Sequence, residues 1–161
     1  MEIRQAEPGD IEMIIKIETT CFPVAEAADE AAFRSRYAVF PENFFVAEEN
    51  GMVVGFINGC TTDKPELPDI LYEDAGLHNA NGAYQTVFGL DVLPEYRRRG
   101  VAEALLNHLI QVSKERKKNG MVLTCKEHLI HYYEKFGFVC RGKSASVHGG
   151  AVWNDMVLIF G

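Results

Sequence analysis

A short arginine-rich turn between a strand-like and a helix-like segment contains the residues best suited to chemistry. The largely apolar stretch at 90–93 is followed by Pro94, by arginines at 97–99 and by Gly100. The first turn of a helix has unpaired backbone N–H groups and the positive end of the helix dipole, so it attracts anions. A small residue such as Gly100 lets a phosphate group approach the main chain. The pattern predicts an anion site; a solvated basic helix start explains it equally well.

The first half of the chain predicts a strand, two helices and a hairpin. Apolar positions three and four residues apart, with Glu18 among them, predict a helix that ends before Pro23, because proline disfavours helix in the residue preceding it. The alanine- and glutamate-rich residues 25–37 predict a second helix. Asn50-Gly51 supplies the positive φ angles of a tight turn. The strands are predicted at residues 3–6, 44–48 and 52–60.

The second half begins with a long irregular stretch at 63–83, a length typical of functional or disordered segments. Residues 84–93 predict a third long strand, and an apolar stripe over 98–117 predicts a helix that Gly120 ends. The remaining predictions are a buried strand at 121–125, a helix at 128–136 capped by Gly137, and an antiparallel pair at 138–141 and 152–160 with Gly149 and Gly150 in its turn. This order indicates an α+β, or mixed α/β, domain with a single-layer core.

Composition limits the classes of partner. The length of 161 residues predicts one domain, residues 1–161. A net charge of −7 makes nucleic acid or an anionic membrane an unfavourable partner, whereas a small cationic substrate suits it. The four cysteines lack metal-binding spacing, so free thiols and no metal are expected. The chain shows no leader and no apolar run of about 18 residues, which predicts a cytoplasmic protein.

A resemblance to a known family enters at the arginine-rich turn. Arg97-x-x-Gly100-x-Ala102 after a strand resembles the Q/R-x-x-G-x-G/A signature of the GNAT superfamily of N-acetyltransferases, and residues 131–138 resemble its F/Y-Y-E-K-x-G-F box. Three stretches further resemble the microbial members of the arylalkylamine (serotonin) N-acetyltransferase branch: 18–28, 54–59 and 125–136. The resemblance implies a single N-acetyltransferase domain. Its central twisted, mostly antiparallel sheet would have about seven strands and about four helices, and would be splayed between the fourth and fifth strands.

The resemblance implies acetyl-CoA as co-substrate. In this family the backbone N–H groups of the signature hold the pyrophosphate, and the preceding strand pairs with the pantetheine arm. A backbone N–H near Leu90 would polarise the thioester carbonyl. The implied co-substrate-binding residues are Leu90, Asp91, Val92, Arg98, Arg99, Gly100, Val101, Ala102 and Glu103.

The same resemblance assigns a proton donor but no base. Tyr133 aligns with the family tyrosine that protonates the departing thiolate, with Tyr132 as a competitor and a plain core role as the alternative. Vertebrate members of the branch have a His-x-His pair where this chain has Thr86 and Phe88. The candidate bases left open are a water chain at Gln85 or Thr86, a carboxylate from residues 63–83, and His128; Asp91 suits co-substrate contact or structure better.

The acceptor is predicted to be a small primary amine, arylalkylamine-like or a polyamine. The carboxylates of Glu66, Asp69, Glu73 and Asp74, within residues 63–83, would attract a cation to a cleft, although a solvated acidic loop explains them equally well. An apolar slot for the acceptor is predicted from Phe22, Pro23, Tyr72, Thr86 and Phe88. Trp153 is expected in the core, and no role is predicted for His148. The alternatives are a protein N-terminal or lysine acetyltransferase and a non-catalytic acyl-CoA sensor; homodimerisation, common in the superfamily, is left open.

Overall fold

The structure is a computed structural model that describes residues 1–161. The helices are α1 (Ile11–Cys21), α2 (Glu30–Val39), α3 (Asp69–Glu73), α4 (Val101–Glu115) and α5 (Ile130–Glu134). The strands are β1 (Glu2–Gln5), β2 (Phe44–Glu49), β3 (Met52–Asn58), β4 (Thr61–Thr62), β5 (Tyr84–Val87), β6 (Gly89–Val92), β7 (Gly120–Cys125), β8 (Val139–Lys143) and β9 (Asn154–Ile159). The longest helix, α4, has 15 residues, and no helix is long and apolar enough to cross a bilayer.

The strands form two sheets that are the halves of one bent surface. One sheet has the order β1-β2-β3-β6 and the other β4-β5-β7-β9-β8; only β5 and β7 pair in parallel. Two long strands run through both sheets: β3 continues into β4, and β5 continues into β6. They are hydrogen-bonded to each other at the boundary between the sheets, where the Phe88 N–H donates to the Asn58 carbonyl at 2.7 Å. Counting each of these as one strand gives seven, and the fourth and fifth separate after Val87, which pairs with Leu123. The predicted mixed, mostly antiparallel and splayed sheet is confirmed.

Several predicted element boundaries were wrong for identifiable reasons. The strand expected at 84–93 breaks at Phe88, where it passes between the sheets. Helix α2 begins at Glu30 rather than residue 25, because the Asp29 carboxylate caps it by accepting the Ala32 N–H at 2.8 Å. The stretch at 63–83 includes the short helix α3, and Gly149 and Gly150 lie in a longer loop at 144–153.

The limits of α4 were also displaced from their predicted positions. The helix begins at Val101 rather than residue 98, since Arg98 (φ 63°) and Gly100 (φ 80°) both have left-handed backbone. It ends at Glu115, followed by Lys117 with φ 61°, whereas Gly120 is the first residue of β7. Three consecutive arginines therefore form a turn, and the helix end behind them faces outward.

Two hydrophobic clusters, one on each face of the sheet, replace the single-layer core that the sequence predicted. The first contains Leu105, Leu106 and Leu109 of α4, which have 0% exposure. The second contains Ile14 and Ile17 of α1 together with Phe33 of α2 and Phe56 of β3. Each such fully buried side chain contributes roughly 1.5–3 kcal/mol, so helices on both faces hold the bent sheet rigidly.

We expect Gly59→Ala to destabilise the fold at the bend. A Cβ at Gly59 would lie 2.0 Å from the Thr86 carbonyl oxygen, so the two strands would have to separate. Overpacking of this kind costs about 1–3 kcal/mol or more, measurable by urea unfolding. Gly9→Ala is the matched control, because no atom lies within 4 Å of a Cβ built there. Equal stability of the two variants would contradict the close strand crossing.

Candidate active site

Two cavities meet beside the splay. We call the larger one, about 690 Å³, the helix-end cavity, because it opens against the first turn of α4. We call the smaller one, about 140 Å³, the aromatic cavity; it lies between α1, α3, β5–β7 and the loop 144–153. Both are walled by Phe22, Leu90, Leu129 and Tyr133. A ligand that fills the larger cavity therefore ends beside the smaller one.

The helix-end cavity contains most of the residues that were predicted to bind the co-substrate. Eight of the nine line its wall: Leu90, Asp91, Val92, Arg98, Gly100, Val101, Ala102 and Glu103. The ninth, Arg99, is outside the wall and places its guanidinium carbon 5.2 Å from the centre of the Tyr96 ring. The structure thus gathers these residues on one surface.

The main chain at this helix end is arranged to donate hydrogen bonds to an anion. No side chain caps α4, and the N–H of Ala104 is the first to bond within the helix, to the Gly100 carbonyl at 3.0 Å. The N–H groups of Val101, Ala102 and Glu103 are therefore available to a ligand. A Cβ at Gly100 would have no atom within 4 Å, so the approach is open. These features fit a pyrophosphate group.

Arg97, the first residue of the signature, has a structural role. Its Nε donates to the Val92 carbonyl at 3.1 Å, and its Nη2 lies 3.5 Å from the Cys21 sulfur. The side chain therefore ties the turn to β6 and to the end of α1, instead of reaching for a phosphate.

Tyr133 lies where the two cavities meet. It is 9% exposed, and its ring packs edge-on against Tyr132 and Phe138. Its hydroxyl makes no hydrogen bond within the protein, and burial, together with nearby Cys125, raises its pKa. The phenol therefore keeps its proton at neutral pH and has it available for a ligand. Tyr132 lines only the helix-end cavity.

Three of the five residues predicted for the acceptor slot line the aromatic cavity. Phe22, Tyr72 and Phe88 are in its wall, with the Tyr72 and Phe88 rings 4.7 Å apart. The structure does not bring the other two there. Pro23 is exposed, and Thr86 is fully buried, with its hydroxyl donated to the Cys60 carbonyl at 2.9 Å.

The far end of the aromatic cavity is closed by the loop 144–153, which the sequence reasoning did not connect with the site. Trp153 lines the cavity and donates its Nε1–H to the His148 carbonyl at 2.9 Å, so the expectation of a core tryptophan was incomplete. The His148 ring lies 2.7 Å from the Glu26 carbonyl oxygen through Nε2 and stacks on Tyr72. The sequence signal for this close packing is Gly149, whose added Cβ would lie 2.6 Å from Glu26 Cγ.

The carboxylates at the aromatic cavity come from α1 and the loop after it, not from residues 63–83. Glu18 and Glu26 line the cavity, and Glu26 is paired with Lys126 at 2.7 Å. Asp69, from the acidic stretch, instead accepts the Val147 N–H at 3.1 Å and holds the closing loop. The acidic stretch thus supports the wall of the site.

Among the candidate bases, two are engaged elsewhere and one is exposed. The buried Gln85 amide donates to the carbonyls of Gly59, Cys60 and Thr86 at 2.9–3.2 Å. The Thr86 hydroxyl is likewise engaged with Cys60. His128 is exposed at the rim of the helix-end cavity.

Asp91 is the unusual titratable group of the site. It is 2% exposed, and neither carboxylate oxygen receives a hydrogen bond from a donor. Burial raises its pKa well above the ordinary value of 3.8, and the neighbouring Glu18 carboxyl adds to the rise. Glu18 is 7% exposed and accepts the Ala28 N–H at 2.9 Å.

Comparisons with known proteins agree with this geometry. The model of the Acetyltransferase (GNAT) family matches residues 11–138. Serotonin N-acetyltransferase from Mesocricetus auratus is 28% identical over 161 residues, covering 96% of this chain and 75% of that protein. The "Probable hydrolase YhcX" of Bacillus subtilis (strain 168) is 30% identical over 112 residues, covering 65% of this chain but only 22% of that protein.

A solved structure supports the fold over nearly the full length. The GphF GNAT-like decarboxylase, in complex with isobutyryl-CoA, superposes with a TM-score of 0.81 and covers 99% of both chains. The sequence identity of 19% means that this likeness shows the fold alone.

Asp91→Asn is expected to remove a pH-dependent cost to stability. Because the folded-state pKa of Asp91 is raised, the folded protein holds more protons than the unfolded chain between pH 3.8 and that raised pKa. The free energy of unfolding of the parent therefore falls as pH rises through this window, by up to about 1.4 kcal/mol per pH unit. The variant should lose this slope in urea unfolding over a pH series, whereas the exposed α1 variant Glu12→Gln should keep it. Parallel curves for the parent and Asp91→Asn would contradict the assignment.

Proposed function

Because the chain belongs to the acetyltransferase (GNAT) family, we propose that it transfers the acetyl group of acetyl-CoA directly to the primary amine of a small aromatic or alkyl molecule. The observation that carries the proposal is the juncture of the two cavities. An uncapped helix end suited to pyrophosphate meets an enclosed, aromatic-lined cavity at Tyr133. Residues 1–161 act in this proposal as one catalytic domain.

The helix-end cavity supports the acetyl-CoA half of the proposal. The N–H groups of Val101, Ala102 and Glu103 would hold the pyrophosphate, with Arg98 adding positive charge. Strand β6 pairs only with β3, so its other edge leaves alternate N–H and C=O groups for the pantetheine arm. When bound, acetyl-CoA supplies an activated acetyl thioester.

The aromatic cavity supports the small-amine half. Its volume of about 140 Å³ and its walls of Phe22, Tyr72, Phe88 and Trp153 suit one aromatic or alkyl group. An extended peptide needs an open groove, whereas the loop 144–153 closes the far end here through Glu26 and Asp69. The enclosure favours a small acceptor over a protein N-terminus or lysine. A pure acyl-CoA sensor has no need of a second cavity.

The chain's own residues have distinct roles in the proposed transfer. The Leu90 N–H, at the open edge of β6, would polarise the acetyl carbonyl. Tyr133 retains its proton at neutral pH and would donate it to the sulfur as the acetyl group leaves. Closure of the cavity by Trp153 and His148 would limit access of water to the reacting groups.

Thiol release from acetyl-CoA with a panel of amines tests the proposal. The panel contains tryptamine, phenethylamine, spermidine and a short peptide. We expect kcat/KM for the two arylalkylamines to exceed that for spermidine by at least about tenfold, because burying an aromatic ring contributes roughly 1.5–3 kcal/mol. Trp153→Ala should reduce this preference. Val152→Ala is the control, since Val152 is its 63% exposed neighbour.

Other outcomes of the panel would change the assignment. Preferred turnover of the peptide would favour a protein acetyltransferase. A rise in melting temperature with acetyl-CoA, without turnover of any amine, would favour a sensor.

Tyr133→Phe is expected to lower kcat by about 10²–10⁴-fold, the usual effect of losing a general acid. The Kd for acetyl-CoA should change little, because the ring and its packing remain. Tyr132→Phe is the matched control on the same helix and should retain most of the turnover. The reverse ranking of the two variants would transfer the proton-donor role to Tyr132.

A further inference from the structure

Glu18 and Asp91 form a carboxyl pair that spans the boundary between the two cavities. Glu18, near the end of α1, lines the aromatic cavity, and Asp91, on β6, lines the helix-end cavity. Burial raises the pKa of Asp91, and the neighbouring Glu18 carboxyl adds to the rise, so the two groups act on each other across this boundary. Resting on the proposed function, we propose that Glu18 accepts the proton of the acceptor ammonium and that Asp91 is the positioning residue that shares a proton with it.

Unpartnered polar atoms around the pair indicate that a ligand or a water chain completes the site. The Asn58 side chain is 1% exposed and has no hydrogen bond at either its oxygen or its nitrogen, and both Asp91 oxygens also lack a donor. A Cβ built on Gly89 would lie 3.3 Å from Asp91 Oδ1 and 3.6 Å from Asn58 Oδ1. Gly89 itself lines the aromatic cavity. Buried polar groups are nearly always paired in folded proteins, so this convergence at the cavity wall marks a polar ligand position.

Charge pairing distinguishes Glu18 from the other carboxylate of the aromatic cavity. Glu26 is neutralised by Lys126 at 2.7 Å. Glu18 has no cation within 4.0 Å; its one polar donor is the Ala28 N–H. The carboxyl group of Glu18 therefore remains able to bind an incoming ammonium group.

Charged and titratable groups from every neighbouring element bear on the pair. They are Cys21 on α1, Arg36 on α2, Arg97 after β6 and Tyr133 on α5. Arg36 donates through Nη2 to the Tyr72 carbonyl at 2.8 Å and lies over the Phe88 ring at 4.7 Å, and its buried Nε has no hydrogen-bond partner. With one proton shared, the pair carries a single negative charge that matches one ammonium group.

Glu18 and Tyr133 together account for every proton that moves in the proposed transfer. The ammonium loses two protons as its nitrogen forms the bond to the acetyl carbon and the carbon–sulfur bond breaks. The first proton passes to Glu18 and later to solvent. The second replaces the proton that Tyr133 gives to the departing sulfur. The products are the N-acetylamine and a thiol, with one proton released.

The dependence of kcat on pH tests the pair. In the parent, kcat should rise with pH, because Glu18 must be deprotonated to accept the proton of the ammonium group. Glu18→Gln should lower kcat by at least about 100-fold and remove this acidic limb. Asp91→Asn should lower kcat less than Glu18→Gln does, because the accepting carboxyl of Glu18 remains and only its positioning partner is changed. Glu12→Gln, on the exposed face of α1, should behave as the parent does.

If Glu18→Gln leaves the rise of kcat at acidic pH unchanged, Glu18 is not the base, and the proposed function still stands. Binding of acetyl-CoA checks that each variant is folded. If Glu18→Gln does not fold, Glu18→Asp replaces it and should lower kcat while retaining the limb; unaltered kcat in Glu18→Asp also overturns the role.

A readout without turnover separates this inference from the proposed function. Infrared spectra of the protein alone at neutral pH should show a protonated carboxyl band that Glu12→Gln retains and Asp91→Asn lacks. Absence of the band in the parent overturns the shared proton, whatever amine is acetylated. Presence of the band with no amine turned over overturns the proposed function and leaves the carboxyl pair in place.

Discussion

The divergence of β6 from β7 is the constraint on which the site depends. The two long strands β3–β4 and β5–β6 run through both halves of the sheet and bend at Gly59 and Phe88. After Val87, β6 has no strand partner on the side where β5 pairs with β7. The gap is kept open because both hydrophobic clusters, one on each face, include residues from both halves and hold the halves at a fixed angle. Both cavities, the free edge of β6 and the position of Tyr133 follow from that separation.

The two cavities meet the demands of the proposed transfer by different means. The helix-end cavity uses main-chain N–H groups, which every substitution except proline leaves in place, and Arg97 braces the turn. The aromatic cavity uses side chains from four distant parts of the chain, so its shape can vary without disturbing the first.

The sequence predicted best what local rules control. Pro94 predicted the turn that ends the strand, and Asn50-Gly51 predicted the hairpin, whose two residues have φ angles of 51° and 80°. The break at Phe88 was missed because apolar residues continue across it, and Thr86 was therefore placed with Phe88 at the slot. Trp153 and His148 reach the site through contacts with residues far along the chain, which leave no local pattern. The Glu18–Asp91 pair left one trace: a glutamate at a core-facing position of an apolar helical stripe.

An unpaired strand edge normally invites another chain to add to the sheet, which is a route to aggregation. The free edge of β6 lies at the base of a cavity walled by the end of α1, the first turn of α4 and α5. In the proposed function a flexible ligand arm pairs with that edge, and the cavity walls leave less room there for a second polypeptide strand with its side chains. The unpaired edge of β6 is thus placed where a small molecule could pair with it more easily than a second copy of the chain.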